Sequence, residues 1–238
     1  MAEFVESQPL LNLDHVEVRR GTFRLVLSDL NLQVARGELV LLAGPSGAGK
    51  STLLRLMAGI ERPTSGRVTI AGQDVARLGP RARAHLRRQM GIVSQETVLF
   101  EDRSVIDNVS APALIAGERR SEAIERARAA LQRVGLDGAR VGRLRCDQLA
   151  AGERRQVVLA RALANRPALL LIDEPFAIGQ SDGPDAGPAG ADDGSAALFD
   201  TLAQFCRSGV TAVVAMREMA PAAYGGRRFS LIEGKLQS

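Results

Sequence analysis

Apolar and polar residues alternate along LNLDHVEVRRG and again along RLVLSDLNLQV, at residues 11–21 and 24–34. That period of two sends successive side chains to opposite faces of a strand and predicts a β-rich opening sheet. In ELVLLAG, residues 38–44, the stretch after Glu38 is apolar without interruption and reads as a buried strand that turns through glycines into a helix from Ser51 to about Met57, closed by Gly59. SGRVTIAG predicts a hairpin-like element, GPRARAHLRRQM a basic helix, and GIVSQ a further strand.

From residue 104 to 150 the pattern becomes helical. Ser121 is placed to cap EAIERARAALQRV, in which Ile124, Leu131 and Val134 share one face, and Gly135 ends it. A helix follows AAGE, then the strand ALLLIDE, the helix AALFDTLAQFC with Leu198, Leu202 and Phe205 on one side, and the strand TAVVAM. The chain therefore reads as one α/β domain over residues 1–238 with a helical insert at about 97–150. Residues 181–195, SDGPDAGPAGADDGS, hold only Ser, Asp, Gly, Pro and Ala. Such a segment buries too little apolar surface to offset its ordering entropy, which predicts an acidic surface loop outside the core.

With 238 residues and 45% of them apolar, the chain can bury a substantial core. No stretch approaches the roughly 18 apolar residues of a membrane span, and the N-terminus lacks a basic start followed by an apolar run, so neither secretion nor membrane spanning is expected. Two cysteines, Cys146 and Cys206, stand in no metal-ligand spacing and read as reduced thiols. The net charge of +4 would suit an anionic partner, but the basic residues are spread along helices without interleaved aromatics, and no nucleic acid is expected. Almost all of them are arginine. The only lysines are Lys50 and Lys235, and Lys50 lies inside the glycine loop, where a compact ammonium serves better than a planar fork.

That loop, GPSGAGKST at residues 44–52, satisfies the complete phosphate-loop pattern in the strand, turn, helix context its mechanism requires. In the loop Gly44, Pro45, Ser46, Gly47, Ala48 and Gly49, the glycines would let successive backbone N–H groups converge on phosphate oxygens. Lys50 would reach the β and γ phosphates, and Ser51 and Thr52 open the helix that follows. Asp173 and Glu174 close the buried strand LLLID, where carboxylates without a role would be costly to desolvate. Asp173 is expected to hold the shell of a Mg²⁺ ion together with Ser51, and Glu174 to orient or deprotonate an attacking water. The cofactors implied are ATP and Mg²⁺.

These residues, with Gln95 in GIVSQE and the helix opening LAAGERRQVVLARAL, resemble the nucleotide-binding domain of the ABC ATPases over essentially the whole chain. AGIERPTSGRVTIAGQDVARL, LRRQMGIVSQ and EDRSVIDNVSAPALIAG resemble the FtsE-type cell-division branch of that family, and lipoprotein-release and macrolide-export ATPases share the layout. The resemblance implies a P-loop NTPase fold with a β-rich N-terminal subdomain and a helical insert. It also implies an ATP-dependent homodimer, peripheral at the cytoplasmic face of the inner membrane and docked on an FtsX-like transmembrane subunit. Gln95 would be both a magnesium ligand and a catalytic residue, and Arg20 would occupy the position of the aromatic that stacks on adenine, with Phe23 as a stand-in.

The chain also departs from the family pattern. Where the signature loop carries Leu-Ser-Gly-Gly-Glu, residues 149–153 read Leu-Ala-Ala-Gly-Glu; Arg217 replaces a histidine after the last strand; and Gln180 stands near an expected aspartate. Each change touches a contact expected across the dimer or at the γ-phosphate, which predicts nucleotide binding with reduced turnover.

Overall fold

The computed structural model describes residues 8–21, 24–95, 97–175 and 193–237. Two antiparallel strands open the chain, β1 (Leu11–Arg20) and β2 (Arg24–Val34), followed by β3 (Leu39–Ala43) and the helix α1 (Lys50–Met57). Then come β4 (Ser65–Ile70), β5 (Gln73–Asp74), α2 (Pro80–Arg88) and β6 (Met90–Val93). Three helices follow: α3 (Val105–Ile115), α4 (Arg120–Arg133) and the short α5 (Gly138–Val141). The rest of the chain supplies α6 (Ala151–Leu163), β7 (Leu169–Asp173), α7 (Asp193–Arg207), β8 (Thr211–Met216), β9 (Arg227–Ile232) and β10 (Lys235–Gln237).

The strands form two sheets. One is four-stranded and antiparallel in the order β2-β1-β4-β5, the β-rich layer expected of the opening segment. The other is six-stranded in the order β10-β9-β3-β8-β7-β6. In the second sheet β9, β3, β8, β7 and β6 run parallel and only the edge strand β10 is antiparallel. Strands buried on both faces carry apolar side chains at every position, and the two sides feed separate clusters. Leu41, Leu170 and Val214 pack with α6 and α7 on one face, while Leu42, Leu171 and Val213 pack with α1 and the antiparallel sheet on the other.

Three local expectations need correction. Helix α4 starts at Arg120 with Arg119 as its N-cap, so Ser121 lies inside the first turn and does not cap it. Of the face expected on α4, Leu131 and Val134 are buried but Ile124 is only half-buried; Ala123, Ala127 and Ala130 complete the stripe, and their small side chains let α4 lie close to α3 and α6. Helix α7 begins at Asp193, so 193–195 belong to a helix and not to the acidic segment; residues 181–192 lie outside the described residues. The expected face of α7 is buried, and Phe199 joins it, stacked on Tyr224 at 4.6 Å between ring centroids. Among the described residues, no helix is long and apolar enough to cross a membrane.

Candidate functional site

The carboxyl edge of the parallel sheet gathers the predicted residues. β3 is buried throughout and delivers the chain to Gly44, whose N–H donates to Met216 O at the end of β8, 3.2 Å away. A side chain at Gly44 is excluded, since a Cβ there would lie 2.3 Å from the Leu231 carbonyl oxygen. Pro45, Ser46 and Gly47 then stand exposed, Gly47 in the left-handed region with φ 80 and open space around it, and Ala48 turns back into the core. Gly49, at φ 104, precedes α1.

Helix α1 has no side-chain cap and no acidic residue in its first turn. No acidic residue of the helix itself offsets its positive end, an arrangement suited to an anion. Lys50, the first residue of the helix, is 6% exposed, and its ammonium donates to the carbonyls of Gly44 at 2.6 Å and Pro45 at 3.1 Å. The loop therefore wraps around its own lysine. Ser51 is half-buried and Thr52 buried, the Thr52 hydroxyl accepting from Arg20 and Arg55, each at 3.4 Å.

Asp173 ends β7 beside Ala215 of β8 and is buried; its Oδ1 has no hydrogen-bond partner among the described residues. A buried carboxylate oxygen left unmatched is costly unless a cation or a water completes it, so the donor set fits a hydrated Mg²⁺. Glu174 follows in the left-handed region, φ 49, with its N–H held by Ala215 O at 2.9 Å. Non-glycine residues in that conformation cost on the order of 1–3 kcal/mol and cluster at functional sites. The Glu174 carboxylate lies between two cations, 3.6 Å from Lys50 Nζ and 3.8 Å from Arg217 Nε. Gln95 is exposed just beyond β6, which runs parallel to β7, so it stands at the same edge as Asp173.

Arg20 reaches this edge from the end of β1, but its guanidinium is engaged with Glu61 at 3.0 Å, and Arg55 also pairs with Glu61 at 2.8 Å. Phe23 and Gln180 lie outside the described residues. Ala150 is the N-cap of α6, and only half a capping box forms there: Glu153 accepts from the Ala150 N–H at 3.2 Å, while Ala150 has no oxygen to return. Hydrogen bonding from Arg140, and then from that backbone N–H, holds the Glu153 carboxyl below the usual carboxylate range. Among the described residues, no hydrogen bond or ion pair links the start of α6 to residues 44–52. The pairing of Arg217 with Glu174 and the role of Glu61 in holding Arg20 were not anticipated, because residues distant in sequence carry no spacing signal.

A family model for ABC transporter matches residues 27–177. The cell division ATP-binding protein FtsE of Escherichia coli K12 is 40% identical over 211 residues, covering 88% of this chain and 89% of that protein. The chain belongs to the ABC transporter family. A second relative of this cassette, the lipoprotein-releasing system ATP-binding protein LolD 2 of Caulobacter vibrioides, is 43% identical over 214 residues, covering 89% of this chain and 88% of the relative. Among solved structures, cbiO1 from Clostridium perfringens superposes with a TM-score of 0.83 at 25% identity, covering 98% of this chain and 88% of that one. A bacterial ABC transporter cassette solved as a dimer gives 0.78 at 28% identity, covering 96% and 97%. The cassette thus shares the α/β architecture expected from the sequence with these neighbours.

Proposed function

We propose that this cassette is the ATP-binding subunit of an FtsE-like membrane complex. In this reading it is peripheral at the cytoplasmic face of the inner membrane, works as an ATP-dependent homodimer, and turns ATP over slowly. The observation that carries the nucleotide reading is a convergence at one sheet edge: an uncapped helix end, the buried ammonium of Lys50 and the partnerless Oδ1 of Asp173. Phosphate oxygens would take the N–H groups of Gly47, Gly49 and the first turn of α1, Lys50 to Thr52, together with the Lys50 ammonium. Mg²⁺, when bound, would offset phosphate charge, with Ser51, Gln95 and Asp173 as its holders. Glu174 would orient the attacking water and accept its proton. Arg20, already beside Thr52, would lie against the base side of the nucleotide.

Slow turnover is supported by Ala150, which offers no hydroxyl to a partner's γ-phosphate, and by Arg217, which cannot share a proton as an imidazole does. The dimeric cassette among the neighbours supports self-association. A transmembrane partner, FtsX-like if the FtsE likeness extends to function, is supported by apolar side chains left outside the core around the segment after Gln95 and α3: Val98, Phe100 and Ile115 are 75%, 55% and 74% exposed. Glu101, in the same segment, is held by the Arg154 guanidinium, with Nη1 2.9 Å from Oε2, and so connects this surface to α6. The LolD relative supports a second reading, the ATPase of a lipoprotein-release complex.

Calorimetry with Mg-ATP on the parent and on Lys50→Ala tests the nucleotide site; equal affinities would remove it. A steady-state phosphate-release assay should give slow turnover, and rapid hydrolysis would reject that part of the reading. Co-expression with an FtsX-like subunit and, separately, with a lipoprotein-release subunit decides between the two complexes by which one co-purifies.

A further inference from the structure

A cavity lies at the edge of the parallel sheet opposite the candidate site. It measures about 370 Å³ and is formed by α4, the segment joining α6 to β7, and the turn between α7 and β8. Leu163 and Val210 give it an apolar floor, and Arg126, Arg133 and Arg166 line it as well. Three cations around one cavity repel one another unless each has a counterion. Arg126 has two, Glu118 and Glu122, both at 2.8 Å. Arg133 and Arg166 have no ion pair with a carboxylate among the described residues. The Arg133 guanidinium lies over the Phe205 ring, 4.8 Å from its centroid, and donates only a long bond of 3.4 Å to the Ser208 hydroxyl. Burial, and then the like charge of Arg166, hold its pKa below the ordinary arginine value. Arg166 itself sits in the left-handed region, φ 51, although it is not glycine.

We infer that this cavity is a binding site for a phosphate group carried on an apolar body, with Arg133 and Arg166 as its ligands. A guanidinium presents a planar fork that matches phosphate oxygens in pairs, Arg133 is already oriented by the ring beneath it, and the floor accepts apolar surface. Arg133 comes from α4 and Arg166 from the loop entering β7, so the bound group would tie the helical layer to the sheet. The site is distinct from the nucleotide edge: it lies at the amino end of β7 while Asp173 lies at its carboxyl end, about 13 Å along the strand at roughly 3.3 Å per residue. The inference does not depend on what binds at residues 44–52.

The test uses the full chain and two probes, phenyl phosphate for a soluble ligand and phosphatidic acid in phosphatidylcholine vesicles for a lipid headgroup, with benzyl alcohol as the neutral control. Binding of phenyl phosphate by calorimetry should fall about tenfold or more for each of Arg133→Gln and Arg166→Gln, while Mg-ATP affinity stays at the parent value. Vesicle binding with the same dependence on both arginines would assign the headgroup as the source instead. Arg166→Gln alters an exposed residue and leaves the Arg133–Phe205 contact intact, so it reports binding even if Arg133→Gln folds poorly. The inference is overturned if neither probe binds at millimolar concentration, if benzyl alcohol binds equally well, or if the arginine variants bind like the parent.

Discussion

Asn108 offers the most direct measurement of how the exposed segment after Gln95 is held. It is fully buried in α3, and its amide is matched on every side: Oδ1 accepts from the Phe100 N–H at 2.8 Å, and Nδ2 donates to Phe100 O at 3.0 Å, to Ser104 O at 3.1 Å and to Cys146 Sγ at 3.2 Å. Asn108→Ala removes three bonds to backbone at about 1 kcal/mol each, so the expected loss is about 3 kcal/mol. For a chain of this size that is a fall of about 6–12 °C in Tm. Asn108→Asp keeps the acceptor but turns a carboxylate oxygen toward two carbonyls, and near neutral pH it should be worse than alanine. Its charged form is disfavoured in the fold, so its folded pKa lies above the unfolded value of about 3.9. The penalty is then present at pH values above that range and shrinks as pH falls toward it, where the protonated acid can donate again. Differential scanning calorimetry from pH 4 to 8 reads both variants. A Tm within about 2 °C of the parent for Asn108→Ala, or a pH-independent Asn108→Asp, would refute the account.

Three further outcomes are expected. Gly44→Ala should fail to fold or lose most of its stability, because its Cβ meets the Leu231 carbonyl oxygen at 2.3 Å, whereas Gly47→Ala, with nothing within 4 Å, should lose only the roughly 1 kcal/mol of a left-handed alanine; urea titration compares them. Burial pushes the thiols of Cys146 and Cys206 up to about 11, so an aromatic disulfide reagent at pH 8 should label neither until denaturant is added. Ala150→Ser with Arg217→His should raise a slow ATP turnover by one to two orders of magnitude, at about 1.4 kcal/mol per tenfold, and an unchanged rate in the phosphate-release assay would show that these positions do not limit it.

What was legible in the sequence shares a physical cause. β3, β7 and β8 are buried on both faces, so their sequences are unbroken apolar runs, and the residues of the candidate site sit where those runs stop: Gly44 after Ala43, Asp173 and Glu174 after Ile172. β9 gave no such signal, because it begins with Arg227 and Arg228 and has a single fully buried position, Leu231. Its place beside β3 is nevertheless what closes the wall under Gly44. The buried face of α4 is legible only in part: Leu131 and Val134 stand out as large apolar residues and are buried, whereas the alanines that complete the stripe carry little signal and Ile124, large and apolar, lies only half-buried. Arg217 was legible as a substitution but not as a partner of Glu174, since ion pairing is set by how two strand ends meet.

That meeting bears on why Arg217 is compatible with a nucleotide site at all. An ammonium has three N–H donors. In this cassette two of those on Lys50 are committed to the carbonyls of Gly44 and Pro45, and the third side faces Glu174 at 3.6 Å, longer than a hydrogen bond. A phosphate that takes a donor from Lys50 displaces the loosest of the three, the carboxylate. Without a second cation Glu174, whose side chain is only 15% exposed, would then be left charged and nearly buried, at a cost of several kcal/mol. Arg217, 3.8 Å away and two-thirds exposed, is free to follow that carboxylate and keep it paired. A histidine that is neutral near pH 7 would leave the carboxylate uncompensated and available to water. Under the proposed reading the arginine would favour holding nucleotide over releasing its γ-phosphate, and this separates affinity from turnover in the two reversions: Arg217→His alone should speed hydrolysis while weakening ATP binding, and Ala150→Ser should speed it without loss of affinity.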